Sequence, residues 1–464
     1  MTQIKFGTSG WRAVIADEFT LANARRALEG IARYVSSQKQ TRARVVVGRD
    51  PRFMGESFVA LAADVLSSRG IAPLVIEEPA PTPAIAFEVI RSHADGAINF
   101  TASHNPPEYN GIKFSTPDGA PALPEVTSKI EAEAASWQPN GLPAPQAQPQ
   151  KIEVRSAYLA RLQEIIDLDC IRAAKLRVAF DPLWGAARGY PDVLLREAGI
   201  DVFAIHDCRD VLFGGHAPEP DDQLLGPLRA EMKARGAHIG IATDGDADRF
   251  GILDDDGTFI SPNYIIALLF DYLVETRAWK NGVAKSVATT NLINALAEHH
   301  SVPLYETAVG FKYIGELIKQ DKIAIGGEES AGLSVRHHVP EKDGILAGLL
   351  CCEMRARRKR SLREQLKQLF AKVGSFYPVR HNFRLTEEVK AKLTQKLGRD
   401  PHELGGRKVA QTVRTDGLKL VFEDGSWVCY RLSGTEPVAR VYAEARSEGD
   451  LARLSTAAER WMLE

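Results

Sequence analysis

Short apolar runs recur along this chain, and most are followed by a turn and then by a segment whose apolar residues have helical spacing. Val45-Val46-Val47-Gly48, Ala72-Pro73-Leu74-Val75-Ile76 and Gly96-Ala97-Ile98-Asn99-Phe100 read as buried strands. Leu21 to Ser36, Gly55 to Arg69 and Pro83 to Arg91 read as helices. The alternation resumes with a helix at Ala157 to Ile166, strands at Leu176 to Phe180 and Val202 to Ile205, and a helix between them at Asp192 to Ala198. It resumes again from Asn263, with an apolar helix, a strand at Ser286 to Thr290 and a helix at Leu292 to His299. Strands alternating with helices predict parallel sheets covered by helices, here in three units without a strict sequence repeat. After Phe376-Tyr377-Pro378 the rhythm changes. Leu418 to Phe422 and Ser426 to Leu432 form a predicted hairpin, Arg440 to Arg446 a strand and Glu448 to Met462 a closing helix, which is a smaller α+β unit.

Composition sharpens the division. Trp137 to Gln150 carries Pro139, Pro143, Pro145 and Pro149 among Gln, Ala and Gly, the make-up of an extended linker. The expected domains are 1–150, 151–257, 258–372 and 373–464. A chain of 464 residues is too long for one core. Net charge is −2, so no global basic field points to nucleic acid, and any phosphate must be held by local Arg and Lys groups. The five cysteines are scattered with no C-x-x-C, which fits a reducing compartment. The first residues lack the pattern of a secretory signal, and Tyr264 to Val274 is too short to span a bilayer. A cytoplasmic protein without membrane contact is expected.

Four stretches carry candidate chemistry. Thr101-Ala102-Ser103-His104-Asn105-Pro106 follows the strand ending at Phe100, and the prolines force a turn that presents Ser103 at a strand end. Thr243-Asp244-Gly245-Asp246-Ala247-Asp248-Arg249 follows the strand His238 to Ala242 and sets three carboxylates at alternate positions. Such a loop can wrap a hard cation, and three oxygen ligands leave room for water and a phosphate oxygen, as Mg²⁺ requires. An EF-hand is excluded, because Arg249 stands where its glycine belongs and Asp255 where its closing glutamate belongs. A solvated acidic turn is the alternative. Gly327-Glu328-Glu329-Ser330 follows the strand Ile323-Ala324-Ile325 and offers groups that bind vicinal sugar hydroxyls, or else a plain turn. Arg431-Leu432-Ser433-Gly434-Thr435-Glu436-Pro437, with Arg440 beyond, has the make-up of an anion cradle or of a hairpin corner. Gly7-Thr8-Ser9-Gly10-Trp11-Arg12 is a small-residue loop that could also bring a guanidinium to an anion.

Together, in this order and spacing, these motifs resemble those of the α-D-phosphohexomutase family of phosphoglucomutases, phosphomannomutases and phosphoglucosamine mutases. The resemblance spans the whole chain. It implies three repeated α/β domains with mixed sheets plus a C-terminal α+β domain around a central cleft. It implies that Ser103, beside His104, carries a phosphoryl group and exchanges it with a hexose monophosphate through a hexose 1,6-bisphosphate. Mg²⁺ would sit on Asp244, Asp246, Asp248 and a phosphate oxygen on Ser103. Arg12, Arg249 and Lys113 would surround the transferring group, with Lys113 an acid or base of lowered pKa. Glu328 and Ser330 would bind the sugar, and Arg431, Ser433, Gly434, Thr435 and Arg440 the distant phosphate. Lys342 in Glu341-Lys342-Asp343-Gly344, and Gly310-Phe311-Lys312-Tyr313, resemble the phosphoglucomutase branch, which favours glucose phosphates with mannose phosphates close behind. His337-His338 reads as a pair of exposed polar residues rather than a metal pair, since adjacent residues on a strand point apart. The implied assembly is a monomer or homodimer.

Two other classes fit parts of the pattern. A Mg²⁺-dependent sugar phosphatase would use Ser103 and the acidic loop with water as acceptor, leaving the sugar loop and cradle without a task. A sugar-phosphate sensor would need none of the reacting groups.

Overall fold

A computed structural model describes residues 2–38, 42–138, 141, 143–432 and 438–463. Val45, Val46 and Val47 are fully buried and centre the strand Arg44–Arg49. Ala72–Ile76 and Ala97–Phe100 pair with it in parallel, and Tyr109–Ser115 runs antiparallel to Ala97–Phe100. Trp11–Val14 closes that edge. The helices Leu21–Gln38, Gly55–Ser68 and Thr82–Ser92 bury their apolar faces against the sheet.

The same four-strand layout occurs twice more. Arg177–Asp181 lies between parallel Asp201–Ala204 and Ile239–Thr243, with Phe250–Leu253 antiparallel to the latter. Val283–Ser286 lies between parallel Leu304–Thr307 and Ile325–Glu328, with Gly332–Val335 antiparallel to the latter. Each sheet is therefore mixed. In each, the connection from the last parallel strand into the antiparallel one carries a motif: residues 101–108, 244–249 and 329–331. One continuous apolar core, including Val46, Val178, Ile241, Val283 and Ile325, runs through all three sheets.

Two predicted elements move. The strand expected at Ser286 to Thr290 is Val283–Ser286, because the chain turns where Thr289 N donates to the Ser286 carbonyl at 3.0 Å. Gly327 and Glu328 are strand residues rather than loop residues, so Glu328 stands at the strand end and the turn begins at Glu329.

The fourth sheet is wholly antiparallel, in the order Tyr377–Arg384, Val438–Ala445, Trp427–Leu432, Leu418–Phe422, Arg407–Val413, Glu403–Leu404. Its core, with Leu418, Leu420, Val441 and Leu454, is its own. It meets the third unit through a small apolar cluster, in which Ala288 and Val309 pack with Trp427, Cys429 and Tyr442, and through buried polar groups. Glu444 accepts from Asn291 N at 2.9 Å, from Trp427 Nε1 at 2.8 Å and from the Thr290 hydroxyl. Lys285 and Lys419 both lie 3.2 Å from Glu306 Oε2. Among the described residues no helix is long and apolar enough to cross a membrane, and all five cysteines are free thiols.

Candidate active site

Ser103 sits in the first of the three equivalent connections and is 1% exposed. Its φ is 52°, a left-handed conformation that a non-glycine residue holds only when its surroundings enforce it. Its backbone N–H donates to Thr101 Oγ1 at 2.8 Å, and Thr101 Oγ1 donates to Asp50 Oδ2 at 2.6 Å. Its hydroxyl donates to Asp244 Oδ2 at 2.6 Å and lies 3.3 Å from His104 Nδ1. The first and second connections therefore meet at Ser103. Gly245 is required there, since a Cβ would stand 2.5 Å from the Ser103 carbonyl oxygen.

Asp244, Asp246 and Asp248 are fully buried, with candidate ligand oxygens all within 4.8 Å of one another. Asp246 Oδ2 accepts from Thr82 Oγ1 and Lys113 Nζ, both at 2.5 Å. Asp248 Oδ2 accepts from Lys113 Nζ at 2.7 Å and Lys342 Nζ at 2.6 Å. The other oxygen of each, Oδ1, is buried without a hydrogen-bond partner. Burial, then Asp246 and Asp248, hold the Asp244 carboxyl well above the usual carboxylate range. Carboxylate oxygens without donors, packed against two other carboxylates, fit a hard divalent cation. The acidic loop is thus buried rather than a solvated turn.

Lys113 stands on the antiparallel strand Tyr109–Ser115. The lowered pKa expected for it is not found. Burial alone would pull the ammonium down, but Asp246, Asp248 and Glu341 outweigh burial and hold it above its ordinary value. His104 is half-buried, and burial together with Arg249 and Arg12 keeps its imidazole well below the usual range, hence neutral at pH 7. Arg12 Nη1 donates to Asn105 Oδ1 at 2.7 Å. Arg249 donates its backbone N–H to Asp244 Oδ1 at 3.0 Å and directs its guanidinium to Glu219 at 3.4 Å. Gly344 seats Lys342, because its N–H donates to the Ala247 carbonyl at 3.0 Å where a side chain would meet the Arg249 backbone.

The third connection faces this centre. Glu328 is buried, accepts from Gly310 N at 2.7 Å and is pushed up to about 7 by burial and by Glu329. Ser330 follows in the turn, half-buried. On the fourth sheet, Arg431 and Arg440 stand directly opposite each other on paired antiparallel strands, so their side chains share one face. Arg431 binds Asp416 at 2.8 Å, and Asp416 also accepts from Val309 N at 3.0 Å, next to Gly310. Ser433, Gly434 and Thr435 lie outside the described residues.

Three residues near the site were not placed there from the sequence. Asp50 and Arg52, in Arg49-Asp50-Pro51-Arg52, follow a strand as the site motifs do, and that position was the available clue. His338 is not an exposed polar residue: its side chain is buried and 2.7 Å from Asp343 Oδ2, which also accepts from Tyr158 at 2.6 Å. His337 and His338 lie in the turn after the strand Gly332–Val335, where His337, with a φ of 63°, is exposed while the His338 side chain turns inward.

Comparison with known proteins covers almost the whole chain. Residues 3–141, 156–257 and 261–373 match the descriptions of phosphoglucomutase/phosphomannomutase alpha/beta/alpha domains I, II and III, and residues 382–460 match the C-terminal domain. A phosphoglucomutase/phosphomannomutase of Thermococcus kodakarensis is 31% identical over 453 residues, 96% of this chain and 95% of that one. A protein of Methanosphaera stadtmanae assigned as a phosphoglucosamine mutase is 29% identical over 456 residues, 96% and 95% of the two chains. A solved structure from Thermus thermophilus, assigned as a phosphomannomutase, superposes with a TM-score of 0.87 at 32% identity, covering 99% of each chain.

Proposed function

Because this chain belongs to the phosphoglucomutase/phosphomannomutase family, we propose that it moves a phosphoryl group between positions 1 and 6 of a hexose, with glucose 1-phosphate and glucose 6-phosphate the favoured pair. The observation that carries this reading is the 2.6 Å hydrogen bond from Ser103 Oγ to Asp244 in a buried carboxylate cluster. A hydroxyl so placed can accept a phosphoryl group and return it to the other end of the sugar.

Asp244, Asp246 and Asp248, with an oxygen of the phosphoryl group on Ser103, would hold Mg²⁺. When bound, the ion supplies Lewis-acid neutralisation of phosphoryl charge. The chain's own groups do the rest. Phosphoryl transfer depends on in-line placement and charge neutralisation. The left-handed turn at Ser103 fixes its Oγ, while Arg12 and Arg249 bring guanidinium charge to the same pocket. Lys113 reaches Asp248 from the first sheet and Lys342 from the loop before the helix Gly344–Arg358, and both add positive charge. Lys113, held protonated by the carboxylates, can donate a hydrogen bond or a proton to an oxygen. Glu328 and Ser330 take sugar hydroxyls. Arg431 and Arg440 take the phosphate that is not reacting, so the hexose is gripped at both ends while positions 1 and 6 change places.

The glucose preference rests on Glu328-Glu329-Ser330, Lys342 and Gly310-Phe311-Lys312-Tyr313, which resemble the phosphoglucomutase branch. A dual phosphomannomutase/phosphoglucomutase is the second reading, favoured by the name of the Thermococcus relative. Coupled assays with glucose 1-phosphate, mannose 1-phosphate and glucosamine 1-phosphate, with and without glucose 1,6-bisphosphate, separate these. The expected order is glucose, mannose, glucosamine, with strict dependence on the bisphosphate once the enzyme is dephosphorylated. Ser103→Ala should keep its fold, lose steady turnover and take up no phosphate by intact mass. Full activity in that variant ends the proposal.

A further inference from the structure

Arg52 is a fully buried cation behind the Ser103 loop, 0% exposed. A guanidinium has five N–H groups, and here every one has a partner. Nε donates to Asp50 Oδ2 at 3.0 Å. Nη1 donates to the carbonyls of Pro106 at 2.7 Å and Tyr109 at 3.0 Å. Nη2 donates to the carbonyls of Ser103 at 2.7 Å and Asn105 at 2.6 Å. Asp50 is held in turn by Arg52 N at 3.0 Å and by Thr101 Oγ1 at 2.6 Å, the hydroxyl that accepts from Ser103 N. The ring of Phe213, from the second sheet's side of the cleft, covers the guanidinium face at 4.9 Å.

This arrangement is poorly explained by stability alone. Replacing a buried ion pair with apolar groups of equal volume is often neutral or favourable. What an apolar group cannot do is gather three carbonyls of one loop and that of the first residue of the following strand, one of them belonging to Ser103. Lysine cannot do it either, since its three donors radiate from one point. From these contacts we infer that Arg52 is the positioning residue of the Ser103 loop. It holds the left-handed turn and the direction of Ser103 Oγ towards Asp244, and so sets the rate of phosphoryl transfer without touching the hexose phosphate. The inference rests on Ser103 being the phosphoryl carrier.

The test uses the full chain with Arg52→Lys and Arg52→Ala. Phosphorylation of dephosphorylated enzyme by glucose 1,6-bisphosphate is followed by intact mass, glucose 1-phosphate binding by calorimetry, and backbone hydrogen exchange by peptide mass. The transfer rate should fall by about 100-fold, the effect of a displacement of about 1 Å. Affinity for glucose 1-phosphate should stay within about threefold, the split expected of a group acting on the reacting atom alone. Exchange protection should be lost across residues 103–109 and kept elsewhere. Millimolar guanidinium should restore part of the rate to Arg52→Ala and none to Ser103→Ala. A folded Arg52→Lys that transfers at the wild-type rate overturns the inference. So does a parallel loss of rate, affinity and protection throughout the molecule without guanidinium rescue. Should neither variant fold, Asp50→Asn removes the charge that orients Nε, and wild-type transfer together with unchanged protection there overturns it equally. If wild type takes no phosphate on Ser103, the carrier reading fails. Exchange at 103–109 in the same variants then decides the clamp alone, loss supporting it and retention ending it.

Discussion

A single oxygen atom distinguishes a cation site from a salt-bridge cluster. In Asp246 and Asp248 one oxygen serves the lysines and the other has no partner in a fully buried position. Asp246→Asn keeps the volume and removes one anionic ligand, so Mg²⁺ affinity by calorimetry should fall by more than about tenfold, with turnover falling alongside. Turnover of wild type that EDTA leaves untouched would contradict this. Glu328 makes a second case. Burial raises it to about 7, so its carboxylate form is gained as pH rises through neutrality. A charge-assisted bond to a sugar hydroxyl contributes about 1.5–3 kcal/mol, which makes Glu328→Ala at least about tenfold worse in kcat/KM. For wild type, kcat/KM should also decline from pH 8 to pH 6 more steeply than for Glu328→Gln, since glutamine has no proton to gain. Parallel profiles would move the sugar contact elsewhere. Residues of this kind were legible because their chemistry is local: three aspartates on alternate positions, a serine ahead of prolines. Arg52, Asp50 and His338 were not, because a buried polar group is recognised only by partners drawn from remote segments, and a propensity argument assigns Arg and Asp to the surface and leaves His undecided.

At the scale of elements, the three site loops occupy one topological position, the step from the last parallel strand to the antiparallel one. The sequence shows three α/β units but not this repetition, since what recurs is strand order rather than residue identity. The misplaced strand at Ser286 to Thr290 has a related origin. Val283–Ser286 includes Lys285, which a hydrophobic pattern rejects, and its burial depends on Thr289, Asn291 and Glu306. The paired strands of the fourth sheet carry the third prediction. With Arg431 and Arg440 on one face, Arg431→Ala should weaken glucose 1-phosphate binding by about tenfold or more, the loss of a bond to a charged group. Turnover should also drop, because remote binding energy lowers the barrier. Mg²⁺ binding and slow phosphorylation of Ser103 by excess glucose 1,6-bisphosphate should survive. Wild-type affinity in Arg431→Ala would leave these strands a hairpin corner.

On the scale of the whole molecule, three sheets share one core while the fourth keeps its own and docks through a small apolar cluster and buried charge. Lys285 is pushed down to about 8 by burial and by Lys419. In the unfolded chain a lysine holds its proton to about pH 10.4, so between these values the unfolded state binds more protons and stability contributed at this site rises with pH. Relative to Lys285→Met, the wild-type thermal midpoint should therefore gain between pH 8 and pH 10, by the equivalent of about 2–3 kcal/mol at most, and hold steady below pH 7. A gap that does not change with pH would mean that the amine titrates in the folded protein as it does in the unfolded chain.

The fourth sheet's pairing has a bearing on how the protein is made. Its edge strand Tyr377–Arg384 finds its partner only in Val438–Ala445, and the two guanidiniums of the anchor come from the strands completed last. At about 5–20 residues per second, synthesis of the stretch between them takes several seconds. For that interval the growing polypeptide already contains every residue of the serine and carboxylate centre but not both of the paired arginines proposed to hold the far phosphate. On the function proposed above, a nearly complete chain on the ribosome would thereby be equipped to receive a phosphoryl group before it could retain the hexose.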